Sequence, residues 1–427
     1  MNLYPHQARS LDYTYKFNRC AYYLDMGLGK TFVGSEKMNV LKKKINLVIC
    51  QKSKVEDWVK HFKTYYLKSL ILDLTNKSEL EMFEIECNMK CKSYDQLIGV
   101  INYDLVWRRP NLLKVEDFTL MLDESSLIGN DTAKRTKFIL KMKPTNVILL
   151  SGTPCSGKYE NLWTQCKLLG WDISKTKFYN NYIITRQIDV GGFYKDIVVG
   201  YRNVNDLKLE LKKHGAIFMK AEEVMDLPDQ VDQQICVNKN SYYRSFEKNS
   251  YVQIGDNELV GDTSLTKLLY MRQICGMYSK EKLQAFKDLI DSTDDRLVVF
   301  YNFNNELFRL KEIVGNSRPI STINGQTKDL SAYEESDNSI TFVQYQAGAM
   351  GLNLQKANKI IYFTLPLGKG SSGLWEQSKK RIHRIGQSKT CFYYYLLVKD
   401  SIEEWNLSLL REGKELTDAL FTQNKHN

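Results

Sequence analysis

No apolar run in these 427 residues approaches the length needed to span a membrane. The opening Met1-Asn2-Leu3-Tyr4-Pro5-His6-Gln7 lacks the basic and apolar segments of a secretory leader. A soluble intracellular protein with no membrane attachment is therefore expected, in the cytoplasm of a prokaryote or virus-infected cell or in a eukaryotic nucleus. The nine cysteines are scattered. The closest pair, Cys87 and Cys91, has no second Cys or His pair nearby to complete a tetrahedral site, so reduced thiols are expected rather than zinc. Low-complexity linkers and internal repeats are also missing, which argues against a solenoid and against two domains on a loose tether.

What is present fits a two-domain globular chain: 427 residues exceed one ordinary core, and 43% are hydrophobic. The formal net charge of +10 is spread along the chain rather than gathered in a tail, which suits a polyanionic partner. Short β-branched or Leu-rich runs, at Ile45 to Cys50, Phe118 to Leu122, Val147 to Leu150, Leu297 to Tyr301, Ile340 to Val343 and Lys359 to Phe363, end abruptly in polar residues or glycine. Such near-continuous apolar strands, separated by helix-length segments, predict parallel sheets covered on both faces. Ligand chemistry then belongs at the strands' carboxyl ends. Three of these strands precede Pro154 and three follow Arg296, so an α/β protein of two sheet-bearing lobes is expected, with a largely helical insertion between. The expected boundaries are a first lobe over 1–228, helical after about 155, and a second over 229–427, helical before about 296.

The segment Leu24-Asp25-Met26-Gly27-Leu28-Gly29-Lys30-Thr31 lies between an apolar stretch and a helix-like one. Its glycines let backbone N–H groups close around phosphate, Lys30 can reach the β- and γ-phosphates, and the Thr31 hydroxyl can ligate Mg²⁺. The Gly-x-Gly-Lys-Ser/Thr core arises by chance in roughly one chain in a hundred of this length, and its flanks favour a phosphate-binding loop over an ordinary turn. The common loop pattern has Gly where Leu24 stands. At the end of Phe118 to Leu122, Asp123 is positioned to hold Mg²⁺ and Glu124 to polarise an attacking water. Far downstream, Arg381 and Arg384 stand three residues apart in Gln377 to Gln387. A nucleotide site split between two lobes, with arginine charge from the second, is the natural reading; a basic, solvated helix face is the bland one.

Taken in order, these motifs resemble the SWI/SNF-like branch of helicase superfamily 2, and the resemblance covers nearly the whole chain. Tyr4-Pro5-His6-Gln7 is similar to the family's adenine-reading opening, and Met26 to Thr31 to its motif I. Gln51-Lys52-Ser53 with Trp58 resembles motif Ia, Ser93-Tyr94-Asp95-Gln96-Leu97 motif Ib, and Asp123-Glu124 motif II. Ser151-Gly152-Thr153-Pro154 resembles motif III, Gln346 to Leu354 motif V, and Gln377 to Gln387 motif VI. Met271-Arg272-Gln273-Ile274-Cys275 and Ser401-Ile402-Glu403-Glu404 favour this branch. The resemblance implies two RecA-like lobes and DNA-dependent ATP hydrolysis with Mg²⁺. Tyr4, Gln7, Met26, Gly27, Leu28, Gly29, Lys30, Thr31, Gly351, Asn353 and Gln377 would then surround the nucleotide, and Thr31 and Asp123 would hold the metal. Catalysis would fall to Lys30, Asp123, Glu124, Arg381 and Arg384. Contacts to double-stranded DNA, through phosphates and without sequence preference, would come from Lys52, Ser53, Tyr94, Lys134, Arg135, Thr136, Asn324, Gly325 and Gln346.

The chain also departs from the pattern. Ser126 stands where motif II has His, with Ser125 at the small residue before it; Ser126 can still hydrogen-bond across to motifs III and VI, with shorter reach. Lys380 replaces a motif VI Gly, and no histone-reading appendage is visible. The expected function is an ATP-dependent translocase on duplex DNA. A strand-separating helicase is the first alternative, although no segment reads as a separation pin, and a catalytically silent DNA-binding module is the second.

Overall fold

The structure, a computed structural model, describes residues 3–89, 91, 93–155, 157–189, 194–224, 226–348, 352–368 and 370–413. The chain divides into two compact units, Met1–Met225 and Asp226–Asn427. Among the described residues no helix is long and apolar enough to cross a membrane.

The first unit is built on strands β1 (Arg19–Leu24), β2 (Ile45–Cys50), β3 (Leu70–Asp73), β4 (Leu97–Asn102), β5 (Phe118–Asp123) and β6 (Asn146–Leu150). After a hairpin of β7 (Ile183–Asp189) and β8 (Tyr194–Tyr201) comes β9 (Ala216–Met219). Seven of them form one sheet in the order β3-β4-β2-β5-β6-β1-β9, with every pairing parallel. Strands β2, β4 and β6 are buried along their whole length. Helices cover both faces, which is why these strands read as unbroken apolar runs rather than alternating ones. Register places the functional loops together: Tyr22 lies opposite Leu150, Asp123 opposite Leu150, and Leu24 opposite Met219. The turns after β1, β5 and β6 therefore leave the sheet at one edge.

The second unit repeats the plan with β10 (Gln230–Val237), the hairpin β11 (Tyr251–Ile254) and β12 (Asn257–Val260), then β13 (Leu297–Tyr301), β14 (Ile320–Ile323), β15 (Lys328–Asp329), β16 (Ile340–Gln344), β17 (Lys359–Tyr362) and β18 (Cys391–Val398). Its sheet runs β10-β18-β17-β13-β16-β14-β15, parallel except for β15.

The expected fold class holds: α/β, with two parallel-dominated sheets covered by helices. The stretch from 155 to 295, read as largely helical, does contain helices, including Val204–Lys213, Ser264–Met277 and Lys280–Asp291. It also carries β7 to β12. Of these, β9 is a four-residue apolar run, too short to stand out between charged helices. The others are not apolar runs, since β10 is a sheet edge with exposed or half-exposed residues and the two hairpins belong to neither large sheet. Ile254 and Asn257 pair across the two-residue turn Gly255-Asp256, a hairpin signal that the charged surroundings obscured.

Candidate nucleotide site and its surroundings

The phosphate-type loop begins one residue later than the common pattern. Leu24 is fully buried as the last residue of β1, so a side chain is required there for packing and the loop proper starts at Asp25. Asp25 Oδ1 accepts from the Met26 amide at 2.8 Å and folds the turn. Gly27 and Gly29 take positive φ, +85° and +73°. Gly29 then caps the helix Lys30–Val40, whose first amides face the loop and suit an anion. Lys30 Nζ donates to the carbonyls of Leu24 and Asp25 at 3.1 and 3.3 Å, holding the ammonium over the turn. A Cβ on Gly29 would lie 2.2 Å from Gln7 Nε2, so glycine is demanded by space as well as by φ.

Gln7 is buried, and both ends of its amide are engaged. Nε2 donates to Leu28 O at 3.2 Å and Oε1 accepts from the Tyr4 amide at 2.9 Å. His6 Nε2 lies 3.1 Å from the same Leu28 carbonyl. The helix Pro5–Thr14 is thereby strapped to the loop, a structural task beyond the base-reading role implied by resemblance. Tyr4 is exposed, stacked on His6.

At the end of β5 the Asp123 carboxyl accepts from Trp58 Nε1 at 2.8 Å through Oδ2, and its backbone carbonyl accepts from the Tyr103 hydroxyl at 2.9 Å. Desolvation raises its pKa, opposed by the Trp58 bond and by the charges of Lys30 and Lys54. Glu124 follows in the left-handed region at φ +53°, a conformation that costs a non-glycine residue about 1–3 kcal/mol and persists only where neighbours impose it. Ser151 Oγ donates to Glu124 Oε2 at 3.3 Å, and the Thr153 amide donates to Ser151 Oγ at 3.2 Å. A Cβ on Gly152 would lie 3.3 Å from Lys30 Nζ, so the Ser-Gly-Thr turn passes directly beside the lysine.

The donor set fits Mg²⁺. No group of three or more His, Cys, Asp or Glu side chains gathers among the described residues. Mg²⁺ on a nucleotide needs few protein ligands, because water and phosphate oxygens complete its shell, and Thr31 and Asp123 offer hard oxygens.

The structure bears on three of the sequence expectations. Ser126 makes no side-chain hydrogen bond among the described residues; the link toward the third motif runs instead through Ser125, whose Oγ donates to Gln165 Oε1 at 2.8 Å. Tyr94 precedes β4 and lies beside Lys44, whose Nζ donates to its carbonyl, at the opposite sheet edge from Asp123. The similar triplet Asn102-Tyr103-Asp104 ends β4 at the functional edge, where Tyr103 bonds the Asp123 carbonyl. Thr136 is fully buried, with its hydroxyl donating to Ile128 O, so it is not available to a DNA backbone. Beside it Arg135 Nε donates to Leu127 O at 3.0 Å, while exposed Lys134 lies over the Trp107 ring. Lys52 and Ser53 form a short turn of helix after β2.

In the second unit the helix Ser371–Lys379 ends before the two arginines, which sit on turns. Arg381 is 6% exposed, so this is no solvated helix face, and its carbonyl accepts from the Leu354 amide at 3.1 Å. Arg384 is half-buried, its pKa lowered by desolvation, and Nη1 reaches Leu352 O at 3.4 Å. Gln387 Nε2 donates to Ala357 O at 2.7 Å, and His383 Nε2 lies 2.9 Å from Pro228 O. Gln377 is half-buried in the helix, and Asn353 and Gln346 are exposed. Asn324 Oδ1 closes a turn by accepting from the amides of Gln326 and Thr327, and Gly325 faces open space. Gly351 lies outside the described residues.

A parallel sheet whose strand ends carry a phosphate-type loop, an Asp-Glu pair and a Ser-Gly-Thr turn defines a nucleotide-binding α/β class. Within that class the family is also clear: a model of the SNF2-related domain matches residues 6–279, and the chain belongs to that family of SWI/SNF-like ATPases of helicase superfamily 2. It is 23% identical over 408 residues to the SWI/SNF-related matrix-associated actin-dependent regulator of chromatin subfamily A-like protein 1 of Xenopus tropicalis, covering 91% of this chain and 41% of that one. It is 21% identical over 434 residues to an uncharacterized ATP-dependent helicase of Mycoplasma pneumoniae, covering 93% and 40%. The chain thus spans about two-fifths of the length of these two relatives. Among solved structures, the Sulfolobus solfataricus SWI2/SNF2 ATPase core in complex with dsDNA is similar at a TM-score of 0.46 and 19% identity, covering 96% of this chain and 91% of that one.

Proposed function

We propose that this chain is a Mg²⁺- and DNA-dependent ATPase that translocates along double-stranded DNA without separating its strands. The observation that carries the reading is the gathering, at one sheet edge, of Lys30, an Asp123 carboxyl held by Trp58 and a Glu124 carboxyl held by Ser151. Lys30 and the amides that begin its helix would bind the β- and γ-phosphates. Thr31 and Asp123 would hold Mg²⁺, which when bound offsets phosphate charge. Glu124, turned by its left-handed backbone, would polarise the attacking water. Arg381 and Arg384 would supply the cationic charge that typically accelerates phosphoryl transfer about 10³- to 10⁵-fold.

Duplex DNA as the track is supported by the net charge of +10 and by the family. Such binding would be salt-dependent and largely indifferent to sequence. Strand separation is the second reading, supported by the hairpins β7–β8 and β11–β12, either of which could act as a pin. ATPase rates with no nucleic acid, single-stranded DNA, duplex DNA and duplex RNA separate the two, with Lys30→Ala as control. Stimulation by duplex DNA, with displacement of a triplex third strand and no fork unwinding, is the expected result. Preferential stimulation by single strands, with fork unwinding, would move the assignment to the helicase. Equal rates for wild type and Lys30→Ala would leave only a silent binding module.

A further inference from the structure

Gln165 lies outside every motif singled out in the sequence, yet it is fully buried directly beneath the site. It projects from the helix Trp163–Leu168. Its Oε1 accepts from the Tyr23 hydroxyl at 3.0 Å and from Ser125 Oγ at 2.8 Å, and its Nε2 donates to Pro154 O at 2.8 Å. Tyr23 is in β1 just before the phosphate-type loop, Ser125 follows Glu124, and Pro154 ends the Ser-Gly-Thr-Pro turn. One amide thus touches all three strand-end segments that carry the chemistry. Its orientation follows from the Pro154 carbonyl, a pure acceptor that needs the N–H₂, which leaves the oxygen to accept from the two hydroxyls. A buried, mutually satisfied polar group of this kind rigidifies what it joins.

What it joins includes a strained residue. Glu124 sits at φ +53° and needs anchors on both sides to stay there. Asp123 is anchored before it by Trp58 and Tyr103, and Ser125 after it by Gln165. The Pro154 bond ties that anchor to the turn whose Ser151 hydroxyl reaches the Glu124 carboxylate. We infer that Gln165 is a positioning residue: it holds the Glu124 carboxylate against the Ser151 turn and so sets the rate of ATP hydrolysis rather than the affinity for nucleotide. Gln165 itself meets neither phosphate nor water. The inference rests on the hydrolytic reading proposed above.

The test compares wild type, Lys30→Ala, Gln165→Leu, Ser125→Ala and the double variant Ser125→Ala/Gln165→Leu for ATPase kcat and KM with saturating duplex DNA, for the Kd of a fluorescent ADP analogue, and for Tm. Leu approximates the volume of Gln, and removing two bonded partners together limits the cost of leaving one unpaired. Displacing a catalytic group by about 1 Å typically costs about 100-fold. Gln165→Leu and the double variant should therefore lose about 10- to 100-fold in kcat, with the Kd for ADP within about threefold of wild type, and Ser125→Ala should lose less. Should Gln165→Leu fail to fold, Ser125→Ala alone decides, because it deletes a single oxygen. Variants with wild-type kcat and a lowered Tm, or with kcat and ADP affinity falling together, would overturn the positioning role. Wild type no faster than Lys30→Ala would instead overturn the hydrolytic reading on which it rests.

Discussion

The two sheets share a plan and differ in what their strand ends do with polar groups. In the first unit neutral donors contact the charged groups: Trp58 donates to Asp123, Ser151 to Glu124, and Gln165 braces the turn between. In the second unit the polar groups at the corresponding edge are engaged with one another. Gln344 Nε2 donates to Asn302 O at 3.1 Å, Asn302 Nδ2 to Thr364 Oγ1 at 2.9 Å, and Thr364 Oγ1 to Glu306 Oε2 at 2.9 Å. Glu306 also accepts from the amides of Asn302 and Phe303. It is fully buried, its pKa raised by desolvation, and its Oε1 has no hydrogen-bond partner among the described residues. The carboxyl lies where a Cβ on Gly276 would come within 2.0 Å. A parallel sheet therefore supplies an edge on which polar groups can be placed, but the side chains decide what those groups bond to.

The sharpest way to break this comparison is at Glu124. Glu124→Gln should lower ATP turnover by about 10²- to 10⁴-fold, the usual worth of a general base, with nucleotide binding retained. Wild-type turnover would deprive the first edge of its distinguishing chemistry. Next in size is a matched pair of glycine substitutions. Gly276→Ala should destabilise the second unit by about 1–3 kcal/mol through overpacking against Glu306, read as a lower denaturation midpoint with the ADP affinity unchanged. Gly29→Ala should cost about 1 kcal/mol or more in backbone strain and, unlike Gly276→Ala, should weaken ADP binding as the loop parts from Gln7. If both variants affected nucleotide affinity alike, the two edges would not be distinct in function.

The smallest expected effect is on pH dependence. His61 lies among Phe32, Trp58 and Phe62, and burial lowers its pKa from 6.5 to about 4. On acidification the unfolded chain takes up this proton before the folded one, so the stability His61 contributes is complete above about pH 6.5 and is lost as pH falls toward 4. His61→Gln should flatten the decline of Tm over that window, measured by thermal melts at several pH values. An unchanged slope would show that His61 takes up its proton as readily in the folded chain as in the unfolded one.

Much of the scaffold was legible because strands buried on both faces need consecutive apolar residues, as in Ile45 to Cys50 and Leu297 to Tyr301. The edge strand β10 and the exposed hairpins carry no such signature. Tyr94 and Tyr103 illustrate a second limit: they stand in similar triplets at opposite ends of one strand, and only the boundaries of that strand separate a residue near Lys44 from one bonded to Asp123. Thr136 shows a third, since a hydroxyl that reads as a DNA contact proves buried.

Local spacing was enough to reveal the loop from Asp25 to Thr31, the Asp123-Glu124 pair and the two-lobe α/β plan, because glycine conformation, helix starts and strand burial are short-range demands. Folding alone brings together Tyr23, Ser125, Pro154 and Gln165, two of them 142 residues apart in sequence. No periodicity marks a single glutamine in a helix, and its importance arises only when parallel pairing sets three strand ends side by side above it.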